Sequence, residues 1–163
     1  MFKKKLFANY TFITILWFSM AATAAIIKYL KSDYNNYKIF NGVFWHTINK
    51  LPLYKPYPFE YNDVNHYGVF FSAIIAPFAI LPDFLGMFLW VLANSAFLYI
   101  VIRKLPIGFR EIMIILFIVL HDMYGAAEMQ QFNISIAAIL AGAFLLIEKK
   151  KEEWATLLIV IGF

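Results

Sequence analysis

The side chains best suited to chemistry lie in a polar segment, residues 31–66, that separates two apolar stretches of the chain. Among its acids, amides and histidines we single out Asp33, Asn35, Asn36, His46, Glu60, Asp63 and His66. Asp33 directly follows the first apolar stretch, so its carboxylate could take a proton from a hydroxyl group as a general base. It could instead cap a helix or pair with Lys31 or Lys38.

A second polar cluster interrupts the apolar sequence farther along the chain. Its members are His121, Asp122, Glu128, Gln130, Gln131 and Asn133. Polar groups at membrane depth are energetically costly, which makes such a cluster a candidate site. Gln131 and Asn133 could alternatively cap a helix that begins near Ile134.

The remaining polar residues are weaker candidates for ligand binding. His46, Glu60, Asp63 and His66 could bind a metal, but their spacing matches no metal-binding motif, and the chain has no cysteine. We therefore predict no metal site. Lys55 could donate to a lipid phosphate, and the alternative is a solvated loop charge.

The composition indicates a membrane protein. Hydrophobic residues make up 63% of the 163 residues and charged residues only 15%, whereas soluble domains have about 45–50% apolar and about 25% charged residues. The net charge is +4, and the lysines lie in short clusters beside apolar segments. This arrangement indicates membrane topology rather than nucleic-acid binding.

The apolar runs predict an all-α, multi-spanning membrane domain over residues 1–163. We expect a first span at residues 6–30, an outer loop at 31–66, a short or re-entrant helix at 69–81, spans at 84–102, 111–126 and 132–147, and a truncated span at 154–163. Because the last run is shorter than the roughly 20 residues that a span needs, we expect this to be the N-terminal part of a larger protein. The sequence Ala22-Thr23-Ala24 also permits a cleavable signal peptide.

Basic clusters at residues 3–5, 103–110 and 149–151 constrain the topology. If all three are cytoplasmic, the N-terminus is cytoplasmic and residues 69–81 do not cross completely. The turn at residues 122–131 then faces the same outer side as the loop at 31–66. Two full spans before residue 103 would put that turn on the opposite side. Within the loop, residues 37–48 could form a short interfacial helix.

A series of short motifs runs along the whole chain. They are Tyr34-Asn35-Asn36-Tyr37-Lys38-Ile39-Phe40, Leu53-Tyr54, Tyr57-Pro58, Tyr67, Ala76-Pro77-Phe78, Leu81-Pro82-Asp83, Phe88-Leu89-Trp90, Asn94, Leu105-Pro106, Gln131-Phe132-Asn133 and Glu148-Lys149-Lys150. In their order and spacing they resemble the N-terminal half of glycosyltransferase family 87. These are membrane enzymes of the GT-C fold that use polyprenyl-phosphate sugars.

The resemblance implies an inverting sugar transfer, in which an acid of the first outer loop deprotonates the acceptor hydroxyl. The family's pattern usually reads Asp-Phe-x-Val-Phe at this position. Aligning Tyr37 and Phe40 with its aromatic residues places Asn36 where the acid belongs and leaves Asp33 three residues upstream. If the loop enters as a helical turn, Asp33 shares a face with Asn36 and could replace the acid. Asp33 is therefore the candidate catalytic residue.

The resemblance also implies the substrates and the location. A mannose-like sugar would move from a polyprenyl-phosphate donor to a glycan or glycolipid acceptor at the outer face of a bacterial inner membrane. The candidate substrate-binding residues are Asn36, Tyr37, His66, Tyr67, Gln131 and Asn133, with Lys55 for the donor phosphate. The expected partners are membrane lipid and these two substrates, with no cofactor and no nucleic acid. A transporter or channel subunit and a non-catalytic membrane scaffold are the alternatives.

Overall fold

The computed structural model describes residues 9–162, which form seven helices and no strand. The helices are α1 (Tyr10–Leu30), α2 (Asn35–Ile48), α3 (Val69–Ala79), α4 (Asp83–Arg103), α5 (Phe109–Glu128), α6 (Asn133–Glu148) and α7 (Glu152–Gly162). The predicted all-α class is confirmed. The basic cluster at residues 3–5, the start of the first predicted span and residue 163 lie outside the described residues.

Within residues 9–162, two helices, α1 and α4, are long and apolar enough to cross a membrane, each with 21 residues. The apolar helices α3 and α6 are shorter, with 11 and 16 residues. Pro77 lies inside α3, where it removes one backbone hydrogen bond of an already short helix. Length and composition make α1 and α4 candidate spans, and the multi-spanning topology stays a prediction.

The helices α1 and α4 pack against each other in antiparallel fashion. The indole N–H of Trp17 donates to the carbonyl of Ser95 at 3.0 Å, and the hydroxyls of Thr14 and Tyr99 share a hydrogen bond. The guanidinium of Arg103 lies 4.2 Å from the ring centre of Tyr10. The start of α1 and the end of α4 therefore share one end of the bundle, and the polar loop lies at the other end.

Four helices, α1, α2, α5 and α6, end in the same left-handed motif. The residues with positive φ are Ser32 (54°), Lys50 (56°), Gln130 (49°) and Lys150 (54°). After each, the next N–H donates to a carbonyl five residues back, as from Asp33 to Lys28 (3.0 Å) and from Gln131 to Ala126 (2.9 Å). This hydrogen-bond pattern is the Schellman motif, which reverses the chain immediately after a helix.

The loop helix α2 packs on α3 and α4 through Tyr37. The Tyr37 side chain is fully buried, and its hydroxyl donates to the carbonyl of Phe78 at 3.0 Å. Gly86 of α4 lies directly against this hydroxyl and the same carbonyl, so that a β-carbon at residue 86 would overlap both. The structure thus extends the predicted loop helix by two residues, to Asn35, and fixes it tightly on the bundle.

Buried polar contacts join α4 to α6 and to the turn before it. The hydroxyl of Ser135 donates to the side-chain oxygen of Asn94, and both residues are buried. The indole N–H of Trp90 donates to the carbonyl of Gln130 at 3.0 Å. Because buried polar groups are costly without partners, these bonds hold the α5–α6 turn in one position.

Candidate functional site

A cavity of about 180 Å³ lies where the loop between α2 and α3 meets the α5–α6 turn. Its lining residues come from three segments that are distant in sequence. They are Asn36, Ile39 and Phe40 of α2, Asp63, Val64, His66 and Tyr67 of the loop, and Gln131 and Asn133 of the turn and α6. We call this space the first cavity.

Asn36 joins α2 to the α5–α6 turn. Its side-chain N–H donates to the carbonyl of Met129, 93 positions away, at 2.7 Å. The loop and the turn therefore lie at the same end of the bundle, and their predicted convergence is confirmed. Which side of a membrane this end faces stays a prediction.

Asn35 fixes the opposite wall of the first cavity. Its side-chain N–H donates to the carbonyl of Asn62, and its side-chain oxygen accepts the N–H of Asn62, both at 2.7 Å. This two-point clamp holds the loop backbone immediately before Asp63. Two adjacent asparagines at the start of α2 thus position both walls of the cavity.

Asp63 is the carboxylate of the first cavity, and its backbone is unusual. Its φ is 80°, a left-handed conformation that aspartate tolerates better than most residues. One carboxylate oxygen accepts the N–H of Val64 at 2.8 Å. The side chain remains exposed, as does that of His66 on the same wall, so both are accessible to a ligand.

Aromatic rings form the floor of the first cavity. Phe40 packs edge-to-face on Tyr67, with ring centres 5.1 Å apart, and on Phe71 and Trp90 behind it. Burial raises the pKa of the Tyr67 hydroxyl. Asn65 is buried, and its side chain accepts the N–H of Tyr67 at 2.9 Å and donates to its carbonyl at 2.8 Å. The floor is therefore rigidly held.

The amide groups of Gln131 and Asn133 belong to the wall formed by the α5–α6 turn. The side-chain N–H of Asn133 donates to the side-chain oxygen of Gln131 at 3.0 Å. Asn133 is the first residue of α6, and the N-cap Phe132 makes no side-chain capping bond. The capping role considered for Gln131 and Asn133 is therefore not what the structure shows, and both amides face the cavity.

A model of glycosyltransferase family 87 matches residues 65–163, more than half of the chain. The chain belongs to glycosyltransferase family 87. No match exists among curated proteins or among solved structures. Membership of family 87 implies glycosyltransferase activity, with a sugar donor and an acceptor as substrates in general.

The family 87 match covers only part of the first cavity. It includes His66, Tyr67, Gln131 and Asn133 and leaves out Asn36 and Asp63. The expected resemblance over residues 34–64 is thus outside the matched range. Asn36 and Asp63 are assigned to the site because they line the first cavity. Asn36 also donates a hydrogen bond to the α5–α6 turn, which lies inside the matched range.

Three of the predicted site residues do not line the first cavity. Asp33 is exposed and forms an ion pair with Lys28 at 2.7 Å. Tyr37 is buried between helices. Lys55 is exposed in the α2–α3 loop. The other five, Asn36, His66, Tyr67, Gln131 and Asn133, line it together.

The helical turn that would align Asp33 with Asn36 is absent. The left-handed Ser32 ends α1, and α2 begins only at Asn35, so Asp33 lies between helices and turns back toward Lys28. The hydrogen bond and the positive charge of Lys28 hold the pKa of Asp33 below its usual value. That environment makes Asp33 a weaker base than an ordinary aspartate.

From the sequence, Asn35 has no assigned role and Asp63 is a candidate only as a metal ligand. Among residues 9–162, no three His, Cys, Asp or Glu side chains come together as metal ligands would. The available signal for Asp63 was the turn-forming pair Asn62-Asp63, because both residue types favour left-handed backbone in tight turns. Its proximity to Gln131 could not be read from the sequence.

Proposed function

We propose that this protein is a multi-spanning membrane glycosyltransferase with a GT-C-like fold that uses a polyprenyl-phosphate sugar. It transfers a mannose-like residue to a hydroxyl of a glycan or glycolipid acceptor, with inversion, at the outer face of a bacterial inner membrane. The observation that carries the proposal is the first cavity, where five residues that the resemblance implied for substrate binding meet. The family match supports a transferase over a transporter subunit or a scaffold.

The position of the first cavity suits a lipid-linked donor. It lies at the end of the bundle where α1 ends and α4 begins, and within residues 9–162 these are the two helices that are long and apolar enough to cross a membrane. A donor with its polyprenyl chain in lipid would present its phosphate and sugar at this level. Amide groups and an aromatic floor are typical of sites that bind sugar hydroxyls and ring faces.

We assign the general base to Asp63, with Asp33 as the alternative predicted from the sequence. Asp63 lies in the first cavity beside His66, whereas Asp33 is outside the cavity lining and paired with Lys28. A base must come within hydrogen-bond reach of the hydroxyl that it deprotonates. On this criterion Asp63 is the better candidate.

The N-terminus of α6 is the proposed position of the donor phosphate. Its first turn has no side-chain cap, and uncapped N–H groups together with the helix dipole favour an anion. Gln131 and Asn133 flank this turn and can donate further hydrogen bonds. Lys55, the cation predicted for this role, would have to approach from the exposed α2–α3 loop.

The proposed reaction is a single displacement. The Asp63 carboxylate accepts the proton of the acceptor hydroxyl while the hydroxyl oxygen bonds to C1 of the donor sugar. The bond between C1 and the phosphate oxygen breaks on the opposite face, and its electron pair leaves with the polyprenyl phosphate. Attack opposite the leaving group inverts the configuration at C1.

The test measures transfer of a labelled sugar from polyprenyl phosphate in liposomes that contain the full-length protein. We expect Asp63→Asn to lower kcat by about 10²–10⁴-fold, the usual contribution of a positioned base. Asp33→Asn should keep kcat within about threefold, and the exposed Asp122→Asn serves as a control for loss of an acid elsewhere.

Two results would contradict the proposal in different ways. Loss of transfer in Asp33→Asn with normal transfer in Asp63→Asn would move the base to Asp33. No transfer by the wild-type protein from any of several polyprenyl-phosphate hexoses would refute the donor class.

A further inference from the structure

A second cavity of about 260 Å³ lies on the opposite face of α2. It is lined by Lys38, Asn41, Gly42, Trp45, Glu60 and Asp83. On a helix with 3.6 residues per turn, positions 38, 41, 42 and 45 face away from positions 36, 39 and 40. The helix α2 is therefore a wall shared by two cavities, and only the first has an assigned role.

The carboxylate of Glu60 is held at the second cavity by a buried histidine. The Nε2 atom of His46 lies 3.0 Å from a carboxylate oxygen of Glu60. His46 is only 3% exposed, while the Glu60 side chain is about half exposed, at 51%. The histidine thus fixes Glu60 from the protein side and leaves the carboxylate open toward a ligand.

One polar atom in the lining of the second cavity, and two on residues that contact its lining, have no protein partner. Within residues 9–162, the buried side-chain polar atoms that lack a partner are the Asn41 oxygen, His46 Nδ1 and the Tyr61 hydroxyl. Asn41 lines the second cavity, and His46 contacts the lining residue Glu60. The Tyr61 ring lies against the lining residue Gly42, because a β-carbon at residue 42 would come within 2.7 Å of a Tyr61 ring carbon. Unpaired polar groups at one place indicate that a polar ligand or water completes them.

Trp45 provides an exposed ring beside these polar groups. Its side chain is 45% exposed, so the indole is accessible to a ligand in the cavity. An indole next to carboxylates and an amide suits a ligand with an apolar face and a hydroxylated edge. A pyranose ring has both, because its axial C–H groups form a face and its hydroxyls radiate from the edge.

The charge of the second cavity argues against an anionic ligand. Glu60 and Asp83 outweigh the single cation Lys38, whose ammonium lies over the Tyr34 ring, 4.8 Å from its centre. A phosphate would meet two carboxylates here, whereas neutral hydroxyls can donate to both. The charges therefore favour a neutral saccharide over the phosphorylated end of the donor.

We propose that the second cavity binds a neutral saccharide unit of the acceptor, at a distance from the hydroxyl that receives the sugar. This inference rests on the proposed function and identifies the acceptor as an oligosaccharide. Glu60 and Asp63 are three residues apart, so their α-carbons are separated by at most about 11 Å. An oligosaccharide of a few units can bridge such a distance.

The first test measures binding without catalysis. The protein is placed in nanodiscs as the Trp154→Phe variant, because Trp154 is the other exposed indole at 62%, while Trp17 and Trp90 are buried. Mannotriose, maltotriose and cellotriose are titrated while indole fluorescence is recorded. We expect the indole fluorescence to change saturably with at least one of these sugars and to stay constant in the Trp45→Phe variant. Glu60→Gln should weaken the binding of that sugar about tenfold.

The second test separates the acceptor site from the transfer site. With the trisaccharide that binds, Trp45→Ala should raise KM about tenfold and keep kcat within about twofold. With an alkyl monosaccharide acceptor, the same variant should keep kcat/KM within about twofold. Asp63→Asn should lower kcat for both acceptors.

The two tests have distinct negative results. Absence of a saturable fluorescence change with all three sugars, or an equal change without Trp45, would overturn the saccharide site. Equal effects of Trp45→Ala on both acceptors would also overturn it. Lack of transfer by the wild-type protein would refute the proposed function, and the fluorescence titration would still decide whether the second cavity binds sugar.

Discussion

The contact between Tyr37 and Gly86 leads to a prediction about non-additive stability. The Tyr37 hydroxyl donates to the carbonyl of Phe78 at 3.0 Å, and Gly86 lies directly against both groups. Replacing Tyr37 with Phe removes one buried hydrogen bond. We expect this to cost about 1 kcal/mol of the free energy of unfolding.

Gly86→Ala should cost more because the new β-carbon has no room. Overpacking of a core costs up to about 3 kcal/mol, and the contact with the Phe78 carbonyl cannot be relieved by rotating a side chain. Alanine recovers about 1 kcal/mol through its higher helix propensity. The net expected destabilisation is about 2 kcal/mol.

The double variant should be less destabilised than the sum of the single variants. Removing the Tyr37 hydroxyl also removes the nearest atom that the β-carbon at residue 86 would meet, although the ring carbon Cζ remains at 3.1 Å and the Phe78 carbonyl stays in place. We therefore expect a coupling free energy of about 0.5–1 kcal/mol, within the range seen for residues in contact. Denaturant-induced unfolding in detergent micelles measures all four proteins of the cycle.

Gly125 provides the matched control for this cycle. It lies in α5, and a β-carbon there would meet nothing within 4 Å, so Gly125→Ala should be neutral or stabilise by up to about 1 kcal/mol. The packing argument would be refuted if the unfolding free energies of the two single variants add, within about 0.3 kcal/mol, to that of the double variant. It would also be refuted if Gly86→Ala left the free energy of unfolding unchanged. Tyr37→Phe should also keep sugar transfer within about twofold, since its hydroxyl faces the bundle rather than the first cavity.

Three further predictions follow from single contacts. Asn35→Ala removes both hydrogen bonds of the clamp before Asp63, so we expect kcat to fall about tenfold because the base is no longer held. Lys28→Met removes the cation that lowers the pKa of Asp33, and we expect the acidic limb of the pH–rate profile to stay unchanged. Lys50→Gly relieves a left-handed residue at the end of α2 and should stabilise the protein by roughly 0.5–1 kcal/mol.

Each of these three predictions has a control variant or an outcome that would contradict it. Asn49→Ala removes a local bond to Trp45 at the end of α2 and should keep kcat, so an equal loss in both asparagine variants would argue against a specific clamp. An upward shift of the acidic limb in Lys28→Met would identify Asp33 as the base. A destabilised Lys50→Gly, measured by thermal unfolding, would contradict the strain assigned to residue 50.

Much of the helical framework could be predicted from the sequence. From residue 69 onward, each helix begins and ends within two residues of the predicted range. Apolar runs broken by Pro82-Asp83, by Leu105-Pro106 and by charged turns are local signals, and local signals determine where helices start and stop. The resemblance to family 87 was also correct, and the match supports it over residues 65–163.

Which carboxylate lines the first cavity could not be predicted, because it depends on backbone geometry at two turns. The left-handed Ser32 directs Asp33 back to Lys28, and the left-handed Asp63 lies on the wall of the first cavity. A one-residue difference in where a helix ends rotates a side chain by about 100° on a helix with 3.6 residues per turn. Sequence patterns do not resolve helix ends that finely.

By itself, the sequence determined that the chain is helical and apolar, that it belongs to a family of glycosyltransferases, and which amides and histidines are candidates. Only the tertiary structure decided which candidates meet. Asn36 reaches Met129 across 93 positions, and Tyr37, next to it in sequence, is buried on a different side of the helix against Phe78. Adjacent residues of a helix point in different directions, so their roles are set by the partners that packing brings to each face.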